Sequence, residues 1–207
     1  MKNVLICRDV PRRTDCAPAR TTFEISLAEA FKREGYTVYI ASVDEPVDKI
    51  DIYIDVSDER DAADSFTIRD GLDEGVIRKV YEANVLKSME MLEKYLPQLD
   101  EGDGKRICFL SSAEASINET RDTDGYAYKL SKAALHMFLQ MVANRLTPGG
   151  YTYRVYDPMH GEVEPKASAE GAYNYFTRRR GTENDDPERD DENRLVLRDA
   201  LGREHAW

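Results

Sequence analysis

Tyr128 and Lys132 are the side chains whose types and spacing most directly suggest chemistry. They lie four residues apart in the stretch GYAYKLSKAAL, and a helix would place both on one face. A free tyrosine has a pKa of about 10, too high for a base at neutral pH, but a nearby ammonium group favours the phenolate and lowers that pKa. Such a tyrosine can take a proton from an alcohol or return one to a developing alkoxide.

The Tyr128–Lys132 pair is not specific by itself, because a chain with 12 tyrosines can contain this spacing by chance. Taken by itself, Lys132 is better explained as a solvated helix residue. Two more candidates share this ambiguity. Ser112, directly after a predicted strand, would cap a turn, and Asn84, within a predicted helix, would bond to solvent or to a neighbouring carbonyl.

The order of predicted elements indicates an α/β fold. Strands alternate with helices, which predicts one domain over residues 1–207, with a doubly wound, mostly parallel sheet covered by helices on both faces. The predicted strands are KNVLICR, YTVYIAS, VDKIDIYIDVS, KRICFLSS, YTYRVYD and the run NRLVLRD, and the predicted helices are TTFEISLAEAFKREG, residues 76–96 and residues 126–146.

Helix boundaries are predicted from local signals. Thr21 and Glu24 form a capping-box pattern that marks the start of the first helix, and Gly35 marks its end. Pro97 is predicted to end the helix that begins near residue 76.

The composition argues against several classes of function. A net charge of −11 disfavours nucleic acid and anionic membrane as partners, since both need a basic surface. No apolar run approaches the ~20 residues of a membrane span. Cys7, Cys16 and Cys108 are widely spaced, which is typical of a reduced, cytoplasmic protein. The three histidines have no neighbours at ligand spacing, so we expect no metal site.

Four segments between about residues 76 and 163 resemble the short-chain dehydrogenases/reductases in order and spacing. EANVLKSMEMLEKYLP resembles the helix that carries the family's asparagine, here Asn84, and RICFLSS resembles the strand that ends at the catalytic serine, here Ser112. GYAYKLSKAAL resembles the Tyr-x-x-x-Lys helix. VYDPMHGEV resembles the next strand and its Pro-Gly loop, although Met159 stands where the family usually has glycine. LVLRDALGREHAW resembles the tail of the small carbonyl-reductase-like subgroup.

This resemblance implies a Rossmann-like fold and a catalytic tetrad. Tyr128 would be the acid/base, Lys132 its activator, Ser112 the substrate anchor, and Asn84 would help to position Lys132 and a relay water. The implied reaction interconverts a small carbonyl substrate and its alcohol with NAD or NADP as cofactor. The segment 159–180 would cover the substrate pocket.

The N-terminal half departs from the family at the cofactor site. The chain has no glycine before Gly35, so the glycine-rich turn that lets a backbone approach the pyrophosphate is absent. DVSDER stands where the family has Asn-Ala-Gly, and Asp55, Asp58 and Asp61 would repel a pyrophosphate if they line the site. The adenosine side is also shortened, because there is no room for the usual extra helix and strand.

Arginines and a helix N-terminus can hold phosphate without glycines. The loop before the first helix and the helix start carry Arg8, Arg12, Arg13, Arg20, Thr21 and Thr22. Asp44, just after the second strand, could meet a ribose hydroxyl and would favour NAD over NADP. The alternative is that the arginines form a solvated loop paired with surrounding acids. The missing glycines favour loss or strong weakening of ordinary cofactor binding.

Two functional hypotheses follow. The first is an oxidoreductase that uses the tetrad on a small-molecule substrate with NAD(P). The second is a divergent relative that has lost ordinary NAD(P) binding and acts as a ligand-binding or assembly protein, or as a non-redox enzyme.

The predicted helix at 126–146 carries two apolar stripes. One consists of Leu130, Ala134, Met137, Phe138 and Met141, and the other of Leu135, Leu139, Val142 and Leu146. One stripe can cover the sheet. The other would meet a second subunit, in a homodimer or homotetramer, or be covered by the chain's own long loops. The acidic segment 181–192 is predicted to be a solvated loop.

Overall fold

The computed structural model describes residues 2–7, 18–41, 47–178 and 194–207, and only the backbone of residues 18–21. Within these ranges seven strands form one sheet in the order β2-β1-β3-β4-β5-β6-β7. Neighbours from β2 to β6 pair in parallel, and β7 pairs antiparallel with β6. The strands are β1 (Asn3–Cys7), β2 (Thr37–Ile40), β3 (Ile52–Asp55), β4 (Arg106–Leu110), β5 (Thr152–Asp157), β6 (Leu197–Asp199) and β7 (Glu204–His205).

Five α-helices connect the described strands. They are α1 (Pro18–Arg33), α2 (Glu74–Tyr81), α3 (Lys87–Asp100), α4 (Tyr126–Leu146) and α5 (Pro165–Thr177). A π-helical turn, Glu82–Leu86, joins α2 to α3, and short 3₁₀ turns occur at Ala113–Ala115 and Thr147–Gly149. None of these described helices combines the length and apolar character needed to cross a membrane.

The sheet is buried on both faces, which confirms the doubly wound prediction. Successive strand residues point to opposite faces, so Val4 and Leu5 enter different cores. One core joins the sheet to α1 and α5, which pack against each other through residues such as Phe31 and Tyr173. The opposite core joins the sheet to α3 and α4, with Leu139 among its fully buried members.

The strand order reverses beside β1, because β2 lies on one side of it and β3 on the other. In open α/β sheets, ligands bind beyond the carboxyl ends of the strands at such a switch point. The segments after β3, β4 and β5 all leave the sheet at this edge. The segments after β3 and β4 carry Asp58 and Ser112, and Asp157 is the last residue of β5.

The first helix begins earlier than predicted. It starts at Pro18, which places Thr21 inside the first turns rather than at the cap. A proline suits the first turn because its φ is already helical and its missing N–H would have no partner there. The predicted end is confirmed, since the helix stops at Arg33 and Gly35 adopts a φ of 81°.

The prediction that Pro97 ends its helix was wrong, because Pro97 lies inside α3, which continues to Asp100. Tertiary contacts hold the final turn. The backbone N–H of Ile50 donates to Gln98 O at 2.9 Å, and the hydroxyl of Tyr151 donates to Asp100 Oδ1 at 2.7 Å. These bonds from neighbouring segments help to hold the turn that contains the proline.

The two apolar stripes of α4 have different environments. Leu135 and Leu139 are each 1% exposed against the sheet. Leu130, Met137 and Met141 are 53%, 64% and 64% exposed. The described loops therefore leave these three residues of the outer stripe uncovered, whereas Ala134 and Phe138 of the same stripe are partly buried.

Candidate active site

Helix α4 holds Tyr128 and Lys132 on one face, as their spacing predicts. The N-cap residue Gly125 has no side chain, and Asp64 instead accepts the backbone N–H groups of Ala127 and Tyr128 at 3.0 and 2.8 Å. Both functional side chains point into the protein, with Tyr128 4% and Lys132 0% exposed. A carboxylate from a distant segment thus fixes the start of the helix that carries the pair.

The ammonium group of Lys132 is surrounded by protein oxygens. Its Nζ donates to Ser57 O at 2.8 Å and to Leu110 O at 3.3 Å, and it lies 3.3 Å from Asp58 Oδ1. Burial lowers the pKa of Lys132, although Asp58 and Asp55 oppose that effect. Lys132 therefore ties the ends of β3 and β4 together.

Asp58 lies at the centre of the arrangement. Its Oδ1 accepts a hydrogen bond from the Tyr128 hydroxyl at 2.6 Å, and its side chain is 4% exposed. It lies within DVSDER, where the resembled family has Asn-Ala-Gly. Sequence reasoning considered Asp58 only as a charge that would repel pyrophosphate. Its contact with a residue 70 positions away carries no local sequence signal.

The predicted lowering of the Tyr128 pKa is wrong for this arrangement. Burial raises the pKa of Tyr128 well above its ordinary value of 10.0, and the charge of Asp58 raises it further, against an opposing effect of Arg60. The ammonium of Lys132 lies 5.8 Å from the ring centroid. Tyr128 is therefore a neutral phenol at physiological pH, with its hydrogen bond directed to a carboxylate.

Arg60 covers the ring of Tyr128. Its guanidinium carbon lies 3.5 Å from the ring centroid, which is a cation–π geometry. Its Nη2 also pairs with Glu114 at 2.8 Å. Side chains from the segments after β3 and β4 thus meet over Tyr128.

Asn84 anchors the segment that carries Asp58. The side chain is fully buried, and Oδ1 accepts from Glu59 N at 2.7 Å while Nδ2 donates to Glu59 O at 2.9 Å and to Ser131 Oγ at 3.0 Å. Asn84 lies in the π-helical turn, where one inserted residue changes the helical phase. Its link to α4 therefore runs through Ser131, one residue before Lys132.

Ser112 caps the 3₁₀ turn that follows β4, which confirms the turn-capping interpretation. Its Oγ accepts from the backbone N–H of Glu114 at 3.2 Å, and the residue is 3% exposed. The same residue lines a cavity of about 140 Å³, which we call the polar pocket. Ser112 therefore combines a structural bond with a position on a pocket wall.

The polar pocket borders the buried group. It is lined by Arg60, Ser112, Ala113, Glu114, Asp157, Met159, His160, Glu162, Asp199, Arg203 and His205. Asp157 holds the segments that follow β4 and β5 in place, because its carboxylate accepts hydrogen bonds from Ala113 N and Met159 N, each at 2.8 Å. His160 connects the pocket to the interior, with Nε2 4.0 Å from Asp58 Oδ2.

Met159 occupies a left-handed backbone conformation with φ of 50°. The resembled family usually has glycine at this position, and glycine adopts such a conformation without steric cost. A side chain there costs about 1–2 kcal/mol. The loop therefore keeps a glycine-like backbone despite the methionine.

Several predicted cofactor residues lie outside the described residues. They are Arg8, Arg12, Arg13 and Asp44. Cys16 and the acidic segment 181–192 also lie outside the described residues. Thr21 is described only as backbone within α1. Their proposed roles in cofactor binding stay predictions.

Comparison by sequence finds one short match of note. No family model matches the chain. A segment of 73 residues is 30% identical to the C-signal protein of Myxococcus xanthus, and the match covers 35% of this chain and 44% of that protein. The match thus spans less than half the length of this curated relative.

Comparison by structure covers the whole chain. A carbonyl reductase of Pseudomonas aeruginosa PAO1 in complex with NADP superimposes with a TM-score of 0.68 at 15% identity, with 100% of both chains covered. A Burkholderia multivorans protein named as a short-chain dehydrogenase/reductase, with bound NADP, gives 0.72 at 15% identity and covers 100% of this chain and 99% of its own. The chain has the fold of the short-chain dehydrogenases/reductases. A Brucella ovis member with a partially ordered NAD gives 0.60 at 14% identity over 86% and 94% of the two chains.

The described part of this short-chain dehydrogenase/reductase fold does not fit a nicotinamide cofactor well. The polar atoms of Tyr128 and Lys132 already bond to protein oxygens. Asp55 and Asp58 add two buried carboxylates at the carboxyl end of β3, beside the switch point. An anionic dinucleotide placed there would have to displace the hydrogen bonds that Tyr128 and Lys132 already make within the protein.

Proposed function

We propose that the protein is a divergent relative of the short-chain dehydrogenases/reductases that has lost nicotinamide hydride transfer and works as a binding and assembly protein. One observation carries the proposal. The Tyr128 hydroxyl donates to Asp58 at 2.6 Å, so the predicted acid/base already has an internal partner.

The charges of this buried group balance within the protein. Asp55 and Asp58 oppose Lys132 and Arg60. Three of the four lie within residues 55–60, and Lys132 lies on α4. A general acid or base must reach the substrate proton directly or through one water, and its pKa should lie near the working pH. Tyr128 meets neither condition here, because it is 4% exposed and its pKa is raised.

The polar pocket supports the binding part of the proposal. Its volume is about 140 Å³, and its lining is dominated by charged and hydroxyl side chains. This volume is below the roughly 300–1,000 Å³ of clefts that hold drug-sized ligands. We therefore propose a small, polar ligand rather than a dinucleotide.

The outer stripe of α4 supports the assembly part. Leu130, Met137 and Met141 are more than half exposed, and Leu86 on the adjoining π-helical turn is 40% exposed. We call these four residues the assembly face. Contiguous exposed apolar patches on soluble proteins mark interaction sites. A second copy of the chain is the proposed occupant, which gives a homodimer or homotetramer.

Met137→Glu tests this assembly. The change places a charge in the middle of the assembly face, so we expect the wild type to be a dimer or tetramer and the variant to be a monomer by light scattering after gel filtration. Ile68→Glu is the matched control, because Ile68 is 68% exposed on a loop outside the face, and it should keep the wild-type mass. A monomeric wild type would refute the assembly part.

The second candidate is the family's oxidoreductase activity on a small carbonyl substrate. One observation supports this candidate. The residues of the implied tetrad all border the ends of β3 and β4, as the resemblance implies; they are Asn84, Ser112, Tyr128 and Lys132. This candidate requires saturable nicotinamide binding, displacement of the Asp58 carboxylate from Tyr128, and loss of turnover in Tyr128→Phe with the fold retained.

A further inference from the structure

We propose that the segment Arg203–Trp207 is a strap that closes the polar pocket while His205 is protonated and loosens when His205 loses its proton. Arg203 and His205 both line the polar pocket, so the strap forms one of its walls. The proposal does not depend on whether the protein binds nicotinamide.

His205 is held between two carboxylates. Its Nδ1 lies 2.9 Å from Glu119 Oε2, and its Nε2 lies 3.0 Å from Asp199 Oδ2. A neutral imidazole has one N–H, whereas the imidazolium has two. Both contacts can therefore be hydrogen bonds only in the protonated ring. Loss of that proton leaves a nitrogen lone pair facing a carboxylate.

We call His205 with its two partners, Asp199 and Glu119, the clamp, and it joins three separate segments of the chain. Asp199 belongs to β6, Glu119 belongs to the loop after the 3₁₀ turn at Ala113–Ala115, and His205 belongs to β7. Glu119 also accepts the backbone N–H of Ala206 at 2.9 Å. Two other charged groups face the clamp: Arg203 bonds to Asp199, and Asp157 lies across the pocket. The remaining titratable residues of the pocket are Arg60, Glu114, His160 and Glu162.

Trp207 anchors the strap beyond the clamp. Its indole N–H donates to Leu195 O at 3.2 Å, its backbone oxygen accepts from Asn118 Nδ2 at 2.5 Å, and its ring meets His136 edge-on at 4.3 Å between centroids. Trp207 is the single tryptophan of the chain, so its fluorescence reports on the strap directly.

The direction of the pH effect follows from the partners of His205. Burial would lower the pKa of His205, but its bonds to Glu119 and Asp199 outweigh burial and raise the pKa above the ordinary 6.5. A raised folded-state pKa gives a stabilisation that is complete below the unfolded pKa and is lost as pH rises through the folded pKa. The strap is therefore closed at low pH and loosened at high pH.

The chain's three histidines can be separated by experiment. His136, which touches the indole, has a pKa lowered to about 3 by burial and so stays neutral across the range of interest. Acrylamide quenching of Trp207 would be measured from about pH 6 to pH 9 in the wild type, His205→Gln and His160→Gln. His160→Gln is the control, because His160 lines the same pocket outside the clamp.

We expect wild-type quenching to increase in one step with a midpoint above 6.5, the ordinary histidine pKa. His205→Gln should be strongly quenched at every pH, with no step, and His160→Gln should keep the step. Glu119→Gln should move the midpoint down, because it removes one carboxylate partner. An NMR titration of His205 in the wild type should give the same midpoint. A flat wild-type profile, or a step that survives in His205→Gln, would overturn the proposal.

Discussion

At the scale of single residues, the site is decided by a carboxylate that sequence reasoning did not place. Tyr128 and Lys132 could be assigned to one helical face because their spacing is local. Their chemistry could not be predicted, because it depends on Asp58, which reaches them only through the tertiary fold. A phenol beside an ammonium is activated, whereas a buried phenol bonded to a carboxylate is kept neutral.

Asp58→Asn is expected to destabilise the protein through Lys132. The change removes the carboxylate nearest to an ammonium that is 0% exposed, and breaking one side of a buried pair costs about 3–5 kcal/mol. Urea unfolding would measure the loss in free energy. Glu74→Gln is the matched control, because Glu74 pairs with Arg78, both side chains are more than three-quarters exposed, and such pairs contribute less than about 1 kcal/mol. Equal losses for the two variants would refute a buried counter-ion role for Asp58.

At the scale of elements, the strands and long helices could be predicted from the periodicity of apolar residues, whereas local irregularities were not predicted. Helix α4 begins and ends where the pattern predicts, because its stripes continue over its whole length. The π-helical turn was missed, although its signal was present. The buried residues Val80 and Val85 are five positions apart rather than three or four. That extra residue is what aims Asn84 at the backbone of Glu59.

Asp64→Ala is expected to weaken α4 at the end that carries Tyr128. Asp64 accepts two backbone N–H groups of the first turn, a role usually filled by a side chain at the N-cap, and loss of such a cap costs about 0.5–2 kcal/mol. Amide hydrogen exchange at Ala127 and Tyr128 should accelerate.

Asp122→Ala is the control for the cap, because Asp122 bonds to the Lys129 side chain and not to the helix backbone. It should leave the exchange of these amides unchanged. Similar acceleration in both variants would show that general charge near the helix, rather than the two hydrogen bonds, protects its first turn.

At the scale of the whole molecule, the fold and the site support different conclusions. The sheet order and the full-length superpositions confirm the short-chain dehydrogenase/reductase fold. A fold hosts many functions, so function must be argued from the site. At the site, the tetrad residues lie in the expected region. However, Asp58 already accepts the hydrogen bond of Tyr128, Arg60 covers the Tyr128 ring, and backbone carbonyls already accept from Lys132. Leu130, Met137 and Met141 of the outer stripe of α4 are exposed, and a second copy of the chain is the occupant we propose for them.

A calorimetric titration of the wild-type protein with NADH, NADPH and their oxidised forms tests the central claim most directly. A nicotinamide-binding carbonyl reductase would serve as the positive control. Because Tyr128 and Lys132 are bonded to Asp58 and to backbone oxygens, we predict no saturable heat and no thermal stabilisation at millimolar cofactor. Saturable binding in the micromolar range would contradict the account, since it would show that a dinucleotide enters this site despite the Asp58 carboxylate.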